Sequence, residues 1–199
     1  MNTSLHILHL FANTENTKVN LVATERYNNL MQELSMQGIT DYVIHPGIYN
    51  PDNPKKVIHE GHRKIVQLAK DNEQDFCIIC EDDIKFTCAN SWKYFLSQIP
   101  ESFDLFFGLI YQGEIKDNRV LNGFSGGMTL YVVHSRFYDT FLSQPIDTHI
   151  DRQLGNLCYL YDFKVIPQYC VIQRGGYSIQ RREINFYDVY LEKYTLYGQ

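Results

Sequence analysis

The sequence lacks a basic excess: its 199 residues carry a formal net charge of −5, and Lys and Arg gather only locally, at Lys55-Lys56, at Arg63-Lys64 and between Arg174 and Arg182. Domains built to hold nucleic acid neutralise phosphates with such an excess, so its absence argues against a nucleic-acid partner and leaves room for a small anionic ligand. Also missing are a cationic leader with an apolar core and any apolar run long enough to span a bilayer. A soluble cytoplasmic protein with no transmembrane segment is therefore expected. The five cysteines, at 77, 80, 88, 158 and 170, are odd in number and scattered, which excludes a disulfide framework and predicts reduced thiols. Cys77-x-x-Cys80 has no second pair of matching spacing and lies inside an apolar run, so it reads as buried thiols rather than a zinc or redox pair. Neither an Asp-x-Asp nucleophile pattern nor a glycine-rich phosphate loop occurs, and there is no internal repeat, low-complexity tract or linker. One domain over residues 1–199 is expected, large enough to bury its own core. Trp occurs once, against fifteen Tyr and twelve Phe, which predicts a core and clefts built with rings.

The chain begins with alternating strand and helix signals. Leu5 to Phe11 reads as a strand, and its His6 and His9 read as satisfied core or edge residues. Val19 to Met36 has apolar residues at helical spacing, with Gly38 placed to stop it. Tyr42 to His45 is a second strand, and right-handed crossovers make the two parallel. A Pro- and Asn-rich loop then offers Asp52 or Asn53 as a cap and Pro54 at the first turn of a helix to Lys70. Further strands are expected at Phe76–Cys80, Asp104–Ile110 and Met128–His134, with strand-like segments at Phe163–Pro167 and Tyr169–Ile172, where Pro167 favours an edge or a bend. Helices are expected at Ala89–Gln98, from a Ser135 cap to Leu142, and at Ile150–Tyr161, while Gln112 to Asn122 is a hairpin or a flexible excursion. From about Asn185 the spacing of Phe186, Tyr190, Tyr194 and Tyr197 predicts a helical face that packs on its own core or on a second subunit of a homodimer. The pattern as a whole is α/β, a Rossmann-like domain with a mostly parallel central sheet and helices on both faces.

The stretch with most chemistry is Phe76 to Phe86, an apolar strand running into Glu81-Asp82-Asp83. Ligands of open α/β sheets bind at the carboxyl ends of strands, and alternate residues of an extended segment point the same way, so Glu81 and Asp83 are candidates to face one metal ion. An acidic surface turn explains the same residues. Asp151 and Asp147 each precede or begin a helix, where an acid serves as a cap or as a catalytic base. Gly126-Gly127 allows backbone to approach a ligand or makes a tight turn, and His62 contacts a ligand or caps its helix.

Taken together, these signals resemble a glycosyltransferase of the GT-A fold and, more narrowly, the family-25 glycosyltransferases of lipopolysaccharide biosynthesis. The match lies in Gly61-His62-Arg63, in Cys80-Glu81-Asp82-Asp83-Ile84, in Ser125-Gly126-Gly127 with its following strand to Val133, and in Ile146 to Asp151. Val165-Ile166-Pro167 through Gln173 and Tyr177-Ser178-Ile179 are similar to the closing elements of that family. A departure stands at Phe11 to Asn16, where the family has a strand ending in Asn-Leu and an Arg-rich segment nearby. The resemblance implies inverting, metal-dependent transfer from a nucleoside diphosphate sugar to a glycan or lipid-linked glycan acceptor, in making a surface polysaccharide. It implies Mn²⁺ or Mg²⁺ on Asp83 and Glu81, donor contacts from Phe11, Asn13, His62, Asp82, Gly126 and Gly127, and Asp151 or Asp147 as the base.

Overall fold

The computed structural model describes residues 4–10, 14–116, 119–146, 149–178, 183–186 and 195–198. Its first half alternates as expected: β1 (Leu5–Leu10), α1 (Thr17–Gln37), β2 (Tyr42–Gly47), α2 (Pro54–Asp71) and β3 (Phe76–Glu81). Local chemistry sets the helix limits. The Asn16 side chain accepts the amides of Lys18 and Val19 at the start of α1, and Gly38, at φ 67°, returns its N–H to Leu34 and Ser35 at the end. Asn53 accepts the Lys56 amide and Pro54 occupies the first turn of α2. β1 pairs in parallel with β2 on one side and β3 on the other. The first crossover therefore runs one way across the sheet and the second runs back, and right-handed connections place α1 and α2 on opposite faces.

The second half is less regular. It contains β4 (Ile84–Phe86), α3 (Ser91–Gln98), β5 (Leu105–Phe107), β6 (Gly113–Ile115), β7 (Leu121–Phe124), β8 (Leu130–His134), α4 (Tyr138–Ser143) and α5 (Ile150–Gly155). β9 (Phe163–Val165), β10 (Val171–Gln173), β11 (Gly176–Ser178) and β12 (Glu183–Asn185) follow. The main sheet has the order β2-β1-β3-β8-β5-β9 and is mostly parallel, with β8 antiparallel to both of its neighbours. β9 is an edge strand, in keeping with Pro167 just beyond it. β4 with β10, β6 with β7 and β11 with β12 form three antiparallel pairs, so the polar excursion after Tyr111 is a hairpin. Rings fill the core: Phe107 packs 4.8 Å from Phe124 and near Tyr131 and Phe163, all of them buried. Each such side chain stabilises the fold by about 1.5–3 kcal/mol through burial. All five cysteines are free thiols.

Three local expectations change. The helix from Ile150 ends at Gly155, which lies so close to the backbone of β7 that an added Cβ would stand 1.9 Å from the Phe124 carbonyl oxygen. Ser135 is not the cap of the next helix; it opens a 3-10 turn, and the His134 ring accepts the Arg136 amide instead. At the C-terminus Glu183–Asn185 is a strand, and Tyr197 stacks on Tyr94 at 4.0 Å in its own chain. Tyr190 and Tyr194, also expected on a helical face there, lie outside the described residues.

Candidate functional site

β1, β2 and β3 end at one rim of the sheet, and a cleft of about 640 Å³ opens there. Its near wall holds Leu10, Arg26, Glu81, Asp82 and Asp83; its far wall holds Tyr111, Gly126, Gly127, Asp151 and Arg152. The three acids are not one extended run. β3 stops at Glu81, and Asp82 and Asp83 form the turn into β4, so their directions follow from their partners rather than from strand alternation.

Those partners give adjacent acids different roles. Asp82 is 3% exposed, and its two oxygens are taken: Oδ2 accepts His9 Nδ1 and the Leu10 amide, both at 2.8 Å, and Oδ1 accepts Arg26 Nη1 at 2.8 Å. Burial opposes its ionisation, but Arg26, His9 and the Leu10 N–H more than offset that and hold the carboxyl below the usual range. Asp82 thus ties the end of β1 and the helix α1 to the end of β3. Asp83 is also buried, yet only Oδ2 has partners, Gln173 Nε2 at 2.9 Å and Arg26 Nη1 at 3.4 Å, while Oδ1 has none. Burial raises its pKa to about 7; Arg26 opposes the rise, and Glu81 and Asp82 add to it. For Arg26 the balance of burial against Asp83, Asp82 and Glu81 favours the charged guanidinium.

Glu81 is held from behind. His62 Nε2 lies 3.2 Å from Glu81 Oε1, and His62 Nδ1 lies 2.9 Å from the Tyr131 hydroxyl. His62 is fully buried on the inner face of α2, where its ring reaches Glu81 and does not cap the helix, a place that Asn53 takes. Gly61 beside it admits Leu8 of β1, whose methyl would stand 2.8 Å from an added Cβ.

On the far wall Gly126 and Gly127 have φ of +124° and +111°, values that glycine adopts without the cost of a Cβ. The two differ in surroundings. A Cβ on Gly127 would meet Ile110 Cα at 2.5 Å, a packing constraint, whereas one on Gly126 would stand 3.8 Å from Asp151 Oδ2. Asp151, in the first turn of α5, accepts the Arg152 amide through Oδ1, and Oδ2 lies beside Gly126 across from the acids. Phe11, Asn13 and Asp147 lie outside the described residues.

Two residues of this neighbourhood escaped sequence reasoning: Arg26 and Glu33. Glu33 is 3% exposed and accepts the Phe86 amide and Arg174 Nη2, which ties Arg174 to α1. The signal for them was polar residues on a buried helical stripe: Val19, Ala23, Leu30, Glu33 and Gln37 are buried on one side of α1, and Arg26 lies between.

No family model matches the sequence, and neither does any curated protein. Solved structures do match. The A197 protein from STIV aligns with a TM-score of 0.50 at 10% identity over 91% of this chain and 92% of that chain. The inositol-1-phosphate CTP transferase from T. maritima aligns with a TM-score of 0.50 at 10% identity, over 82% and 84% of the respective chains. These likenesses establish a shared α/β fold with a mostly parallel sheet flanked by helices. No helix among the described residues is long and apolar enough to cross a membrane.

Proposed function

We propose that this protein transfers a sugar from a nucleoside diphosphate sugar to a hydroxyl of a glycan acceptor, using a divalent ion carried on Asp83 and Glu81. The observation that carries the reading is the cleft itself, which sets Glu81 and Asp83 at the carboxyl end of β3 opposite Asp151. The residues fit a cation in two respects. Asp83 Oδ1 is a buried carboxylate oxygen with no hydrogen-bond partner. The described lining residues also carry four carboxylates, Glu81, Asp82, Asp83 and Asp151, against Arg26, Lys55 and Arg152. A diphosphate adds further negative charge, which a divalent ion on these carboxylates offsets. No group of three or more His, Cys, Asp or Glu among the described residues is arranged to hold a metal by itself, which suits an ion completed by substrate phosphates.

Bound there, Mn²⁺ or Mg²⁺ supplies Lewis-acid stabilisation of the departing diphosphate. The chain supplies the rest. His62 keeps Glu81 aimed at the cleft, and Asp82 keeps the end of β1 closed on β3. Asp151 accepts the proton of the acceptor hydroxyl at Oδ2, as an inverting transfer requires, and Gly126 leaves room beside it. In this reading Phe11 and Asn13 meet the nucleoside, and the motif likeness to family-25 enzymes directs the acceptor class toward surface polysaccharide. The CTP transferase fold neighbour supports a nucleotide in the cleft.

The test is thermal stability with a panel of nucleoside diphosphates, each with and without Mn²⁺, followed by sugar-transfer assays with the base so identified. A nucleotide shift that Mn²⁺ enlarges is expected, with the Mn²⁺-dependent part lost in Asp83→Asn. No shift with any nucleotide would overturn the reading, and release of pyrophosphate from the matching nucleoside triphosphate and a sugar phosphate, without sugar transfer, would replace it with nucleotidyl transfer.

A further inference from the structure

Arg26 is an unusual resident of an acidic cleft wall. It stands in α1, 25% exposed, with Nη1 2.8 Å from Asp82 Oδ1 and 3.4 Å from Asp83 Oδ2. Among the described residues its Nη2 and Nε make no hydrogen bond, and the side chain lines the cleft. A guanidinium has five N–H donors in a rigid fork suited to planar or bidentate anion recognition. Here one corner of that fork is pinned by two carboxylates, so its orientation is set before any ligand arrives and little side-chain entropy is left to lose. Lys55 and Arg152, the other cations of the lining, are exposed and make no comparable paired contact.

We infer that Arg26 is a preorganised phosphate-binding group of the cleft, able to receive a diphosphate without a metal ion, and that it prevents a divalent ion from binding alone. The second half follows from the same contacts. Nη1 occupies the side of the acid turn where Asp82 and Asp83 approach each other, and its charge repels a second cation. The protein oxygens that remain for an ion are Asp83 Oδ1 and the second oxygen of Glu81, which leave the rest of its shell to water and hold it weakly until phosphate oxygens replace those waters. The order of assembly is therefore diphosphate with ion, or diphosphate first, and not ion first. This deepens the sugar-transfer reading and rests on it only for the identity of the phosphate's owner.

Inorganic pyrophosphate is the probe, because it needs neither a sugar nor Asp151. Its binding is followed by thermal shift and calorimetry in chelator, and Mn²⁺ binding is measured separately without phosphate. The expected result is pyrophosphate binding to the wild type that weakens roughly ten- to hundredfold in Arg26→Gln, the loss of a charge-assisted pair of hydrogen bonds. Mn²⁺ alone, silent on the wild type, stabilises Arg26→Gln because Asp82 and Asp83 are released. Arg26→Lys retains the charge that Asp82 requires and keeps the fold; it too weakens pyrophosphate binding, since an ammonium cannot hold two carboxylates and fork a phosphate together. The inference is overturned if the wild type ignores pyrophosphate, if Arg26→Lys binds it as well as the wild type does, or if Mn²⁺ alone binds the wild type. Pyrophosphate binding that depends on Arg26, in a protein that turns over no nucleotide sugar, removes the sugar-transfer reading and leaves Arg26 in its role; sugar transfer with no metal-free pyrophosphate binding does the reverse.

Discussion

Replacing Asp82 by Asn tests whether this carboxylate anchors the fold or meets a ligand. The change is nearly isosteric, but the site presents donors to both oxygens, His9 Nδ1 and the Leu10 N–H on one side and Arg26 on the other. An amide has one oxygen to offer, so its NH₂ must face either the guanidinium or the His9 and Leu10 pair. In both orientations a buried donor loses its acceptor and Arg26 loses a full counter-charge. Breaking a buried pair in this way costs about 3–5 kcal/mol. In a domain of this size 1 kcal/mol moves the melting temperature by roughly 2–4 °C, so a loss of about 6–12 °C or more is expected. Urea denaturation at neutral pH measures it directly, with an unchanged slope showing that the transition still exposes the same surface. The ionised Asp82 also links stability to pH. Its folded pKa lies below the unfolded value, so the stabilisation is present above the unfolded pKa and is lost as pH falls through the folded one; the wild type should therefore lose its advantage over Asp82→Asn in acid below about 4. If Asp82→Asn unfolds within about 1 kcal/mol of the wild type while losing nucleotide binding, the anchoring argument is refuted and Asp82 is a ligand contact instead.

Other residues yield shorter predictions. His62→Gln leaves Glu81 poorly oriented from behind, so nucleotide binding in the presence of Mn²⁺ should weaken about ten- to hundredfold while metal-free pyrophosphate binding holds, a split that calorimetry reads. Gly127→Ala forces a methyl against Ile110 Cα at 2.5 Å with φ at +111° and should cost about 3 kcal/mol in denaturation. Gly126→Ala meets no such wall, so it should cost about 1 kcal/mol and act mainly on acceptor KM, through the methyl it sets 3.8 Å from Asp151 Oδ2. The His6 and His45 rings stack with Nδ1 and Nε2 2.9 Å apart, and burial, reinforced by His6, depresses His45 to about 4. A depressed folded pKa means that stability is full above pH 6.5 and declines as pH falls toward 4, by about 1–2 kcal/mol once the half-exposure of His45 is discounted. His45→Gln should flatten that part of a melting-temperature profile.

Much of the frame was legible because it is local. The Asn16 cap, the Gly38 stop and the Asn53-Pro54 start sit next to the backbone groups they satisfy, so their chemistry can be read a few residues at a time. The buried run Cys77 to Cys80 announces a central strand by composition, and the acids that follow it necessarily emerge at its carboxyl end. The helix expected from Ile150 to Tyr161 is shorter, ending at Gly155, whose close approach to Phe124, more than twenty-five residues away in the chain, no local pattern reports.

The sequence by itself determined the α/β alternation, the position of the acids at a strand end and the reduced state of the cysteines, since each follows from neighbouring residues and composition. Only the tertiary structure decided that β8 runs against the sheet and that His62 serves Glu81 from behind. It also decided that Arg26, 56 residues before Asp82, enters the acid cluster. It alone distinguished Asp82 from Asp83. The two are adjacent and chemically identical, but one is surrounded by donors and held ionised, while the other is buried with an oxygen unpartnered and a pKa raised to about 7. The physical reason is that a carboxylate's charge state and direction depend on what is brought within about 3–4 Å of it, and folding chooses those neighbours from across the chain.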